Sequence, residues 1–191
     1  MKNADEQKRL EALNAYGIMD SLPEEEYDNI TSLASRICGT PISLITLLDD
    51  QRQWFKSATG IYIKETPIEY AFCSHAIQNP SEILVVPDSR KDERFANNPF
   101  VTGEPHIVFY AGMPLVDEAG HALGSLCVLD VQEQTLTPFQ LTALKQLAKQ
   151  VVSLMRLKKE SKVLKNKVDD LEQLNSALIQ EVQDLKLRTS F

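Results

Sequence analysis

The fold class that the 191-residue sequence predicts is α+β: a mixed or antiparallel sheet with helices beside it, continued by a long C-terminal helix. Three observations carry it. Short segments rich in strand formers alternate with glycine, proline and aspartate turns, and few of them are linked by the long helical crossovers of a parallel sheet. Near the N-terminus, apolar residues recur at helical spacing. From Pro138 to the end no further glycine or proline follows, which makes a run of 54 residues, far more than one globular helix needs. The composition, 43% hydrophobic and 25% charged, is that of a folded chain. The length suits one domain with an appendage better than two full domains.

Residues 4–16 set Leu10 and Leu13 among charged residues ahead of Gly17, a short amphipathic helix with a glycine stop. Ser21 as N-cap, with Glu24 three positions later and Pro23 in the first turn, predicts the opening of a second helix. Tyr27, Ile30, Leu33, Ala34 and Ile37 give that helix one apolar face, and Gly39-Thr40-Pro41 ends it. Residues 42–48 (ISLITLL) and 53–57 (QWFKS), around Asp49-Asp50, predict a hairpin. After a looser region to Tyr70 come a short helix over residues 72–78 and a strand over 83–86, closed by Pro87-Asp88. Residues 88–106 predict a long structured loop. Residues 107–116 and 123–129 predict strands joined around Glu118-Ala119-Gly120, and Thr137-Pro138 opens the final helix.

The net charge of −7 is unevenly spread: residues 1–150 carry −9 and residues 151–191 carry +2. An acidic globular part repels phosphate backbones, so no nucleic-acid partner is expected. No run approaches eighteen apolar residues, which predicts no membrane partner. The charged start MKNADEQKRLEAL predicts no secretory signal peptide. Cys38, Cys73 and Cys127 are odd in number, widely spaced and free of any CxxC pair. They predict neither a disulfide framework nor a metal site, and a cytoplasmic location.

Leucines recur every seven residues at Leu157, Leu164, Leu171, Leu178 and Leu185. With these at d, the a positions are Ser161, Val168, Asn175 and Val182. Leucine at d with β-branched residues at a favours two strands, and a single Asn at a fixes register in a parallel pair. The g and e positions agree. Glu160 faces Lys165, Lys167 faces Glu172, Leu174 faces Ile179 and Glu181 faces Lys186, with no like-charge clash. A parallel homodimer is the expectation. A basic-zipper DNA binder needs a basic helix directly before the zipper, whereas QLAKQVVSLMRL there is mostly apolar.

Four segments follow one another over residues 10–154: LNAYGIMDSLPEEEYDNITSLASRICGTPISLITLLDDQRQWFKS, EYAFCSHAI, VVPDSRKDERFANNPFV and FYAGMPLVDEAGHALGSLCVLD. Together they resemble a bacterial GAF sensory domain over about three quarters of the chain. The resemblance implies a central antiparallel sheet, helices packed on one face, and a ligand cavity roofed by loops on the other. It implies a domain over 1–154 with its N-terminal helix and a parallel dimeric coiled coil over 155–191. It also implies a small-molecule-sensing or regulatory module of signal transduction whose coil relays conformational change to an output protein. The chain carries no kinase ATP-binding segment, no Gly-Gly-Asp-Glu-Phe string and no helix-turn-helix, so the output is expected on a partner, and the chain itself is expected to be no enzyme.

The ligand stays open. Bilin-binding relatives attach the chromophore through a cysteine usually followed by histidine, and Cys73-Ser74-His75 has the wrong spacing, which argues against a covalent bilin. The NKFDE string of cyclic-nucleotide-binding relatives is missing. Relatives that reduce free methionine sulfoxide use a nucleophilic and a resolving cysteine. Cys73 could act in that way, but residues 88–106 contain no cysteine to resolve it. The resemblance places Trp54, Phe55, Phe72, Cys73, His75, Asp88, Arg94, Phe95, Phe109 and Tyr110 around the cavity, an aromatic pocket with a few polar groups suited to a small molecule. Each also has a packing role open to it: Asp88 as a turn cap, Arg94 as partner of Asp88 or Asp92, the aromatics as core. With the core so filled, the alternative reading is a ligand-free structural dimerisation module. Cys73 and His75 are candidates for a thiolate–imidazole or ligand pair, although residues i and i+2 of a helix do not face each other. Cys38 and Cys127 are read as packing, and His106 and His121 as structural.

Overall fold

The computed structural model describes residues 4–188, with side chains through residue 185. One compact unit extends through Met155 and a second begins at Arg156. In the first, helices α1 (Ala4–Tyr16) and α2 (Glu25–Cys38) precede strands β1 (Ile42–Leu48), β2 (Arg52–Thr59) and β3 (Glu65–Pro67). A 3₁₀ turn (Ile68–Tyr70), α3 (Phe72–Ala76), β4 (Leu84–Val86), α4 (Pro99–Thr102), β5 (Phe109–Val116) and β6 (Ala122–Asp130) follow, and α5 (Pro138–Arg188) runs on into the second unit.

The strands form one sheet in the order β3-β2-β1-β6-β5-β4, every neighbouring pair antiparallel. Side chains alternate across it. From β1, Ile45 and Leu47 point to a core shared with Leu13, Tyr27, Ala34 and the first turns of α5 (Leu144, Ala148, Val151). Ile42, Leu44 and Leu48 point to a second core with Phe55, Phe72, Phe95, Tyr110, Cys127 and Leu129. Helices α1, α2 and the start of α5 therefore cover one face, and α3 with the long loops covers the other, as the resemblance implied.

The hairpin closes where expected. The Asp49 carboxylate accepts from the backbone N–H of Gln51 and of Arg52, at 2.9 and 2.7 Å, an Asx turn. The register jumps from Thr46↔Phe55 to Ile45↔Ser57, so Lys56 is the extra residue of a β-bulge. Its buried ammonium is held by Glu24 at 2.6 Å, the Ser21 hydroxyl at 2.7 Å and the Leu22 carbonyl at 2.8 Å. Burial lowers the Lys56 pKa, against the pull of Asp28 and Glu26. That contact corrects the expected cap. Ser21 accepts from Lys56 instead of capping α2, which starts at Glu25 with Glu24 at its N-cap position and no side-chain cap bond. Two elements exceed the sequence reading: β3 in the region expected to be loose, and α4 inside the long loop, where Asn98 accepts from the Phe100 N–H at 2.9 Å. Thr137 and Gln140 form a capping box at the start of α5.

From Arg156 the chain is helical throughout its described residues. Leu157, Leu164, Val168, Leu171, Leu178, Val182 and Leu185 are between 48% and 64% exposed. The predicted partner of Glu181, Lys186, lies outside the described side chains. No helix among the described residues is long and apolar enough to cross a membrane.

Candidate functional site

On the loop-covered face lies a cavity of about 60 Å³ that opens to solvent. Its floor is the sheet: Ile42 and Leu44 from β1, Gln53 and Phe55 from β2, Tyr110 from β5, Cys127 and Leu129 from β6. Its walls are Thr66, Tyr70, Phe72, Cys73, Ile61 and Ile63 on one side and Phe100, Pro105 and Ile107 on the other. The two wall segments are tied together, because Asn98 Nδ2 donates to the Tyr70 carbonyl at 2.9 Å and the Ile107 N–H to the Phe100 carbonyl at 2.7 Å.

Among the described residues no Asp, Glu, Lys, Arg or His lines this cavity. Its polar groups are one amide and a set of hydroxyls and thiols. Gln53, 6% exposed, donates from Nε2 to Thr66 Oγ1 at 3.3 Å, while its Oε1 has no hydrogen-bond partner. A buried acceptor left without a donor costs about 1–3 kcal/mol. In the wall of the same cavity three hydroxyls converge on the Cys73 sulfur: Ser125 at 2.9 Å, Thr46 at 3.2 Å and Tyr110 at 3.3 Å. Cys127 Sγ is 3.9 Å from the same atom. Burial opposes a charge on Cys73, but the hydrogen bonds from Cys127, Ser125, Thr46 and Tyr110 outweigh it and bring the thiol down to about 7. Burial and the neighbouring Cys73 push Cys127 well up. The cluster depends on Gly112, where a Cβ would collide with the Tyr110 hydroxyl that lies across it.

Of the residues expected around the cavity, Phe55, Phe72, Cys73 and Tyr110 line it. Phe95 backs the wall, stacked on Phe72 with ring centroids 4.3 Å apart. Trp54 and Phe109 point to the opposite face and belong to the helix-side core, because each is one strand position out of phase with Phe55 and Tyr110. His75 meets the Phe95 ring in a T-shaped contact at 4.9 Å between centroids. Its pKa is lowered by burial and by Arg94. Asp88 and Arg94 lie at a separate, open surface recess. The Asp88 carboxylate is clamped by Arg90 at 2.8 Å and Lys91 at 2.9 Å, which hold it well below the usual carboxylate range. Arg94 pairs with Asp92 at 2.6 Å. Gln53, Thr66 and Cys127 were missed by sequence reasoning. The alternation that carries Phe55 inward carries Gln53 with it, and Cys127 pairs with Gly112 and Leu44 across the sheet. Among the described residues no three His, Cys, Asp or Glu side chains are grouped to hold a metal ion.

A family profile described as GAF domain matches residues 22–154. A cyclic di-GMP phosphodiesterase of Pseudomonas aeruginosa is 42% identical over 126 residues, 66% of this chain and 21% of that protein. The chain thus spans about a fifth of the length of this relative. The GAF domain of an Acinetobacter phosphoenolpyruvate-protein phosphotransferase superimposes with a TM-score of 0.59 at 20% identity, covering 81% of this chain and 94% of that one. A free methionine-R-sulfoxide reductase of Neisseria meningitidis superimposes with 0.59 at 13% identity, covering 84% and 96%. At these identities the two structures speak for the fold alone. The relative from Pseudomonas corrects one expectation. It carries the name of an enzyme, so the sequence-based assignment of this chain to a non-enzymatic class is overturned.

Proposed function

The chain belongs to the GAF domain family of bacterial signalling proteins, and from that premise we propose that it senses a small, neutral, largely apolar molecule in the cavity over β1, β2, β5 and β6. The observation that carries this reading is the Gln53 carbonyl, buried and without a donor at the edge of an uncharged cavity. A ligand with one N–H or O–H donor satisfies it, and the apolar walls take the rest. Anionic nucleotides fit badly, since no cationic side chain lines the space. The enclosed volume is well below the roughly 150 Å³ of a cavity that holds benzene, so a ring-sized ligand enters by parting the 61–66 and 100–107 walls.

The output side of the proposal is the second unit. Its leucine heptads and matched g/e charges favour a second copy of this chain as partner, in a parallel two-stranded coil. A ligand that binds one wall arrangement more tightly shifts the population of that arrangement, and the continuous helix α5 carries the difference toward the output. The Pseudomonas relative points to cyclic di-GMP turnover as the kind of output such a module serves.

Titration calorimetry with phenol, toluene and benzoate tests the ligand reading. Phenol, with a donor and no charge, is expected to bind about tenfold more tightly than toluene, the worth of about one hydrogen bond. Benzoate is expected not to bind. Equal affinities for phenol and toluene would sink the role of Gln53, and preference for benzoate would sink the neutral-ligand reading.

A further inference from the structure

Cys73 and Cys127 come from different elements, α3 and β6, yet their sulfurs are in van der Waals contact at 3.9 Å, and both line the cavity. Three hydroxyls lie within 3.3 Å of Cys73 Sγ, and although the single Thr46 proton is shared with the Ser125 carbonyl at 3.2 Å, the surround is richer in donors than a neutral thiol, a weak acceptor, calls for. They form a nest for a thiolate. A glycine is needed at 112 for the Tyr110 hydroxyl to take its place there. Neither cationic side chains nor His75 take part, so the anion is stabilised by the Cys127 thiol and the surrounding hydroxyls. Cys38, the third cysteine, lies in the helix-side core, and its thiol is pushed up to about 11 by burial. The chain therefore contains its own unreactive reference.

We propose that Cys73 and Cys127 form a peroxide-reactive thiol pair, with Cys73 the attacking and Cys127 the resolving sulfur, and with a small neutral hydroperoxide as substrate. Such a molecule is of the size and polarity that the uncharged cavity admits. The Cys73 thiolate attacks the terminal peroxide oxygen; an S–O bond forms as the O–O bond breaks. The leaving alkoxide or hydroxide takes a proton from water admitted through the solvent-open cavity, and Cys73 is left as a sulfenic acid. Cys127 then attacks the Cys73 sulfur; the S–S bond forms, the S–O bond breaks, and hydroxide departs with the Cys127 proton as water. In sum, two thiols and one hydroperoxide give a disulfide, an alcohol and water. Closing the sulfurs to the about 2 Å of a disulfide draws α3 toward β6 and moves Phe72 at the cavity wall. This chemistry shares the cavity with the ligand reading above but not its Gln53 acceptor, and its test reads the sulfur chemistry alone.

The test is a time course of the full-length protein with hydrogen peroxide at neutral pH, read by intact mass and by peptide mapping without reduction. The expected product has lost two hydrogens and contains a Cys73–Cys127 disulfide, with Cys73 consumed at least about tenfold faster than Cys38, in line with its larger thiolate fraction. In Cys127→Ser, dimedone should trap a sulfenic acid at Cys73. The wild-type mapping does not depend on how well that variant folds. The proposal is overturned if Cys38 reacts first, if Cys73 stays reduced at peroxide levels that oxidise free cysteine, or if wild-type Cys73 is over-oxidised with no disulfide to Cys127.

Discussion

Replacing Gln53 by Met together with Thr66 by Val should stabilise the empty domain while weakening its ligand binding. The two residues face each other across β2 and β3, and the bond between them, at 3.3 Å, lies beyond the usual range for N–H···O. Its loss costs about 0.5–1 kcal/mol. Against that stands the Gln53 carbonyl, buried without a donor, whose removal returns about 1–3 kcal/mol. Taking the hydroxyl away with the amide avoids stranding a new polar group at 66. The balance is a gain of about 1 kcal/mol, or about 2–4 °C in the thermal midpoint for a domain of this size. Phenol affinity should fall about tenfold, because the donor on the ligand then meets a thioether. Thermal unfolding followed by circular dichroism gives the first quantity and calorimetry the second. A lowered midpoint would refute the reasoning, since the amide would then be holding the β2–β3 edge. An unchanged phenol affinity would refute it equally.

Other consequences follow from the same geometry. Gly112→Ala drives a methyl into the Tyr110 hydroxyl; urea unfolding should show a loss of about 1–3 kcal/mol, typical of overpacking, and the peroxide time course a slower consumption of Cys73. For Asp88, the hydrogen bonds and charges of Arg90 and Lys91 depress the folded-state pKa. A depressed carboxylate stabilises the fold above its unfolded value of about 3.9, and that contribution is lost as pH falls toward the folded value. Wild-type thermal midpoints should therefore drop as pH is lowered below about 4, and Asp88→Asn should flatten that dependence while lowering the midpoint at neutral pH.

The elements that sequence reading located well are those whose cause is local. The 42–48 strand announced itself by β-branched and leucine residues, its turn by Asp49, and α5 by the Thr137-Pro138 start and the lack of any later breaker. Strand β3 was missed because three residues ending in Pro67 carry no periodic signal; they become a strand only by pairing with Arg52, Gln53 and Trp54. Ser21 looked like a cap because the spacing to Glu24 was right, and only the fold brings Lys56 to claim it. In the site, aromatic character chose Trp54 and Phe109, whereas strand phase decides which face a side chain serves. Gln53 was passed over as an ordinary polar strand residue, and the contact of Cys127 with Cys73 joins positions 54 residues apart. Nothing local in the chain encodes that pairing.

Native mass spectrometry of the gently purified full chain, with and without phenol, tests the account most directly. It predicts a dimer of twice 21.5 kDa that takes up one phenol per chain, with uptake much reduced in the Gln53→Met/Thr66→Val variant. A monomer would contradict the coil and the route by which the signal leaves the domain, and a dimer that stays bare at saturating phenol would contradict the neutral-ligand cavity.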